Sequence, residues 1–230
     1  MMKAHVTKGQ FVEGFFMTVS PVDFASLLCS RLCHDLLSPV GALNNGLELL
    51  ADETDPAMRE RCMELLADSA RASANKLKFF RLAFGAGGGF SDRVDMGEAK
   101  AAIEGLLIDN RRTTLGWLVD QPSLPKPAVR ILMNLALIAT EALARGGTID
   151  IGAEAGREAI EIAIRIEGPR ILLDPEIRRT LMEGQGIEPL ASRTAPAFLV
   201  HTLTTEHGGM TLVTEPAPNT MILGAAIRAG

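Results

Sequence analysis

The chain has 230 residues, nearly half of them apolar, with Ala and Leu dominant and no Tyr, which is enough for one large domain or two small ones with real cores. Its formal net charge of -5 argues against a nucleic-acid partner, because phosphate backbones attract basic surfaces. Three cysteines without framework spacing (Cys29, Cys33 and Cys62) point to a reduced, cytoplasmic setting, and no stretch reaches the roughly 20 apolar residues of a membrane span.

Residues 1–19 read as a weakly ordered lead-in whose apolar run over 11–19 is short and carries Glu13. Ser20-Pro21-Val22-Asp23 reads as a helix start: a capping hydroxyl, a proline at the first helical position and an acid in the first turn. Phe24, Leu28, Leu32, Leu36, Pro39, Leu43, Leu47 and Leu50 then recur at steps of three or four, the spacing of one helical face, with a bend expected at Pro39. Asp55-Pro56 opens a second helix with the stripe Cys62, Leu65, Leu66, Ser69, Ser73, Leu77, Phe80 and Phe84. Residues 20–85 are therefore expected to form an antiparallel hairpin. One hairpin buries little, so pairing of two chains into a four-helix bundle, a homodimer, is expected. A glycine-rich linker over 86–92 follows. Beyond it, helices are expected near 95–110, 125–145, 175–183 and 194–206. Strands are expected near 115–119, 148–154, 158–166, 210–215 and 220–228, with a hairpin around Gly156. Interleaved this way, residues 93–230 make an α/β sandwich with a helical layer on a mixed sheet.

The run Arg31-Leu32-Cys33-His34-Asp35-Leu36-Leu37-Ser38-Pro39 holds the chain's chemistry. His34 lies two residues from both Leu32 and Leu36, so it turns away from the buried stripe. It shares its face with Ser30, Arg31, Leu37, Ser38, Gly41 and Asn45, with Leu27 the other neighbour, and most of these are small or polar. A phosphoryl acceptor needs that openness, because its donor arrives on a second macromolecule. It also needs an unprotonated ring nitrogen, which histidine offers near neutral pH. Asp35 could fix the tautomer through the other nitrogen, and Arg31, one turn away, could attract phosphate oxygens. An ordinary solvent-exposed histidine is the plain alternative. A metal reading of Cys29, Cys33 and His34 is weaker, since His34 is rotated off the cysteines' face and no fourth ligand is evident.

His34-Asp35-Leu36-Leu37-Ser38-Pro39 resembles the H-box of two-component sensor kinases, a phospho-accepting histidine, an acid and a later proline on the first helix of a dimeric hairpin. Residues 198–215, with the turn His207-Gly208-Gly209, are similar to the last helix and strand of the kinase ATP-binding domain. The nucleotide boxes are degraded. The helix over 130–143 fits with Leu132-Met133-Asn134-Leu135, but the magnesium-holding Asn of the family falls at Ile138, and Glu141 is out of step. The adenine-contacting Asp falls at Ile166, ahead of Gly168-Pro169-Arg170, and Ala191-Ser192-Arg193-Thr194-Ala195-Pro196 replaces a glycine-rich loop. Apolar Ile offers magnesium no oxygen, and a loop without glycine cannot easily wrap its amides round phosphates.

This combination resembles the bacterial histidine phosphotransferases of the ChpT type. That resemblance implies a phosphorelay between response-regulator receiver domains, with His34 as acceptor and Asp35 and Arg31 in support; the exposed hairpin residues Leu37, Ser38, Gly41 and Asn45 are expected to form part of the docking surface. It implies no cofactor or metal held by this chain, magnesium being expected in the partner's receiver domain. A divergent ATP-dependent kinase and a non-catalytic pseudokinase scaffold are the rival readings.

Overall fold

The computed structural model describes residues 19–85, 91–108, 112–184, 189–215, 217 and 219–229. The expected lead-in, apart from residue 19, and most of the expected linker, residues 86–90, lie outside them. Two long helices, α1 (Pro21–Asp52) and α2 (Pro56–Ala83), form the hairpin. Both starts follow from local chemistry. Ser20 Oγ accepts from Asp23 N at 3.1 Å and Asp55 Oδ2 from Met58 N at 3.2 Å, each ahead of a proline that needs no helical partner. Arg59 closes the hairpin by donating to the carbonyls of Leu50 and Glu53 at the end of α1. Pro39 lies within α1 without ending it. The two helices approach closely at Gly46, where a Cβ would stand 2.9 Å from Leu66 Cδ2.

After the hairpin come β1 (Arg93–Asp95), α3 (Met96–Leu107), β2 (Thr113–Trp117), β3 (Ser123–Pro125) and α4 (Lys126–Ala142). The chain continues through β4 (Gly147–Ala155), β5 (Ala159–Glu167), α5 (Pro175–Glu183), α6 (Ala195–Glu206), β6 (Met210–Val213) and β7 (Thr220–Arg228). The five-stranded sheet runs β2-β4-β5-β7-β6, parallel between β2 and β4 and antiparallel elsewhere. Its strands alternate. Ile149, Ile151, Ile160, Ile162, Ile164, Ile166, Leu223 and Ile227 are buried beneath the helices, while Asp150, Arg165 and Glu167 pair on the outer face. The hairpin-plus-mixed-sheet architecture is the one expected from sequence. The two-stranded ribbon β1–β3 was not foreseen, because three-residue strands carry no readable period.

The turn His207-Gly208-Gly209 acts structurally, as expected. Gly208 has φ +62°, Gly208 N donates to Thr205 O and Gly209 N to Thr204 O, so two orphan carbonyls of α6 are satisfied before β6 begins. Gly168 packs against Gly146, where a Cβ would lie 2.7 Å from the Gly146 carbonyl.

The hairpin and the sandwich share one hydrophobic core. Phe79, Phe80, Leu82 and Ala83 at the end of α2 are buried with Leu124, Ile131, Leu132, Leu135 and the sheet isoleucines. The last carbonyls of α2 receive side chains from α4. Asn134 Nδ2 donates to Ala83 O at 2.8 Å and Arg130 Nη2 to Phe84 O at 3.4 Å. Phe24 on α1 meets Phe198 on α6 edge-to-face at 5.0 Å. Not all of the apolar stripe is covered. Leu47, Leu65 and Leu77 stand exposed, with Leu49 and Met63 beside the stripe. Replacing Asn134 by Ala leaves the buried end of α2 without its donor. An unfolding free energy lower by about 1–3 kcal/mol is expected in urea titration of the full chain, and a change under about 0.5 kcal/mol would show that the clamp is not structural.

Candidate functional site

The site is built on the middle of α1 and completed from two other helices. His34 projects outward with its side chain 81% exposed. Its Nδ1 lies 3.0 Å from Asp35 Oδ1. A carboxylate accepts and does not donate, so this contact places the neutral ring's proton on Nδ1 and leaves the Nε2 lone pair free. The Asp35 side chain, 17% exposed, is held from the other side: Arg31 Nε donates to Asp35 Oδ2 at 3.0 Å. The two oxygens of Asp35 thus serve one imidazole and one guanidinium.

Arg31 is not where the sequence reading put it. Its guanidinium is buried rather than open to a phosphoryl group, and a terminal nitrogen pairs with Glu141 Oε1 on α4. Burial pushes its pKa down, but Glu141 and Asp35 more than offset this and hold it above its ordinary value, so Arg31 stays charged. The misplacement has a simple origin. Local helical spacing shows that Arg31 and Asp35 share a face one turn apart, but it cannot show that a third charge from α4 closes over them.

Lys76, which the sequence reading missed, enters from α2. In an unbroken α-helix the carbonyl of Asp35 accepts from the amide four residues on, but that residue is Pro39 and has no N–H. Lys76 Nζ fills the vacancy by donating to Asp35 O at 2.9 Å. The proline thus signals a carbonyl in need of a donor, although nothing local says which side chain supplies it.

The expected docking residues lie along the same side of α1 as His34. Leu37 is 70% exposed, and Ser38 and Asn45 are exposed. Gly41 is half-buried, with nothing within 4 Å of where a Cβ would stand. Cys29 and Cys33 are exposed and free, and Cys62 is buried. Among the described residues no group of three or more His, Cys, Asp or Glu could hold a metal ion, and no helix is long and apolar enough to cross a membrane.

The helix that the resemblance matches to a nucleotide-binding helix, α4, has no open face along its middle. Every residue from Ile131 to Ala139 is buried, Ile138 being 2% exposed. At the position where the resemblance places a magnesium ligand stands buried Ile138, whose side chain offers no oxygen.

Comparison with known proteins gives the family. The chain is 34% identical over 193 residues to "Protein phosphotransferase ChpT" of Brucella abortus (strain 2308), a match covering 84% of this chain and 90% of the relative. The family model described as "Histidine phosphotransferase C-terminal domain" matches residues 96–219. The chain belongs to the histidine phosphotransferase family. A bacterial phosphotransferase solved at 1.7 Å superposes on this family member with a TM-score of 0.80 and 31% identity, over 91% of this chain and 98% of that one. The match over nearly all of the solved chain takes in hairpin and sandwich together, and on this footing the protein is a histidine phosphotransferase.

The link between Pro39 and Lys76 is open to a double-mutant cycle. Lys76→Met alone leaves the Asp35 carbonyl short of a donor. With Pro39→Ala already present, the backbone supplies an N–H and the same Lys76 change should matter less. A coupling of about 0.5–1.5 kcal/mol in denaturant unfolding is expected, and additive losses would mean that the two residues act independently.

Proposed function

We propose that this chain relays a phosphoryl group between receiver-domain aspartates through a phosphohistidine at His34, without using ATP. The observation that carries the reading is the state of the His34 ring, largely exposed, with Nδ1 occupied by Asp35 and Nε2 open to a donor that a second protein brings. In the forward step the Nε2 lone pair attacks the phosphorus of an aspartyl phosphate, the P–O bond breaks, and its electron pair leaves on the receiver's carboxylate. The ring keeps its Nδ1 proton and becomes cationic, and Asp35 faces that new charge. The return step to a second receiver runs the same way in reverse. Positioning supplies most of the rate, since the transferred group carries its own reactivity.

The other elements support this reading. Leu37, Ser38, Gly41 and Asn45 offer a low surface on which a receiver's loops could settle beside His34. A magnesium ion in the receiver's own acidic pocket would neutralise phosphoryl oxygens there, and no residue of this chain is assigned to it. Ile138, Ile166 and the glycine-free residues 191–196 argue against ATP as the source, as does the burial of α4 from Ile131 to Ala139. Exposed Leu47, Leu65, Leu77 and Met63 on the hairpin leave apolar surface that a second copy would cover, which supports a dimer built as a four-helix bundle.

The test is transfer of label from a phosphorylated receiver domain to the full chain, with magnesium and without ATP. Wild type should take up acid-labile, base-stable label and His34→Ala none. ATP alone should label neither protein. Label on His34→Ala would move the acceptor elsewhere, and label from ATP alone would restore the kinase reading. Sedimentation should give wild type twice the chain mass, and Leu47→Glu combined with Leu65→Glu should give the single-chain mass. A monomeric wild type at high micromolar concentration would remove the bundle.

A further inference from the structure

We propose that Glu141, on the sandwich helix α4, is a positioning residue for His34, acting through Arg31 and Asp35. The inference rests on the reading of His34 as the acceptor and extends it to the second half of the chain. Four side chains stand in series. Glu141 Oε1 accepts from an Arg31 terminal nitrogen, Arg31 Nε donates to Asp35 Oδ2 at 3.0 Å, and Asp35 Oδ1 faces His34 Nδ1 at 3.0 Å.

Two physical consequences follow from the series. The first is geometric. Asp35 turns one oxygen to Arg31 and the other to His34, and the planar guanidinium favours that orientation as long as Arg31 itself is held. Glu141 supplies that hold from a helix whose place is set by the core, not by the hairpin. The second is electrostatic. As Nε2 forms its bond to phosphorus and the aspartyl oxygen leaves with its electron pair, the ring gains a positive charge that Asp35 must face. Arg31 alone would cancel Asp35. With Glu141 on its far side, the three charged groups sum to -1, and the carboxylate remains effective beside the ring.

A plain salt bridge between hairpin and sandwich predicts only a change in stability, so the experiment reads the ring itself. Full-length wild type, Glu141→Gln and Glu141→Ala are compared in single-turnover transfer from a phosphorylated receiver and in receiver affinity. The His34 ring-nitrogen shifts, recorded on 15N-labelled protein where the ring is neutral, report which nitrogen carries the proton. The expected result is transfer about tenfold slower in both variants with receiver Kd unchanged, and a ring-nitrogen pattern moved from a single Nδ1–H tautomer towards a mixture. Glu141→Gln keeps the shape and an acceptor oxygen, so it separates loss of charge from loss of packing if Glu141→Ala is poorly folded. Transfer within twofold of wild type with an unmoved ring pattern overturns the proposal. If wild type itself takes no label, the relay reading fails, and the ring-nitrogen pattern alone still decides whether Glu141 orders His34.

Discussion

The structure depends on how the end of α2 is seated on α4. Phe79, Phe80, Leu82 and Ala83 enter the same core as the sheet, and Asn134 fastens the Ala83 carbonyl from the other side. Burying side chains of this size is worth a few kcal/mol each, far more than any surface ion pair. The seat fixes the direction in which the hairpin leaves the sandwich. Once that direction is set, α1 passes α4 where Arg31 can reach Glu141, and passes α6 where Phe24 meets Phe198. The polar contacts around His34 are therefore a consequence of apolar packing about one to two helical turns from Lys76 along α2.

Much of this was legible in the sequence where the controlling physics is local. The starts of α1 and α2 were marked by Ser20-Pro21 and Asp55-Pro56, whose caps form as expected. The outward turn of His34 followed from the positions of Leu32 and Leu36, and the β4–β5 hairpin from Gly156, whose amide donates to Ala159 O at 2.8 Å. What escaped was decided by residues distant in the chain. Arg31 pairs with a carboxylate 110 positions away, and Lys76 serves a carbonyl 41 positions away. Glu141 was noticed for the wrong reason, as a residue out of step with a magnesium box. Its partner became visible only when α1 and α4 were placed side by side. The exposure of Leu65 and Leu77 belongs to the same class, since periodicity identifies an apolar face but not what covers it.

The second half of the chain is held together by backbone geometry and by apolar burial. The sheet register, the glycine turn after α6 and the close packing of Gly168 on Gly146 persist because they hold the sandwich together. Ile138 and Ile166, which the resemblance matches to nucleotide-binding positions, lie in the core. Burying apolar side chains there stabilises the domain through the area removed from water. A close-packed sandwich gives the hairpin a firm abutment.

Pro39 carries a further consequence for how α1 moves. A helix normally transmits strain along its own ladder, each carbonyl tied to the amide one turn ahead. At Asp35 that tie runs sideways instead, to Lys76 on α2. The turn bearing His34 is thus joined to the neighbouring helix at the point where its connection to the rest of α1 is thinnest. Small rotations of the upper part of α1 would be resisted by α2 rather than passed down to the hairpin tip. The imidazole can then stay in register with the sandwich while the far end of the hairpin sways against whatever it meets.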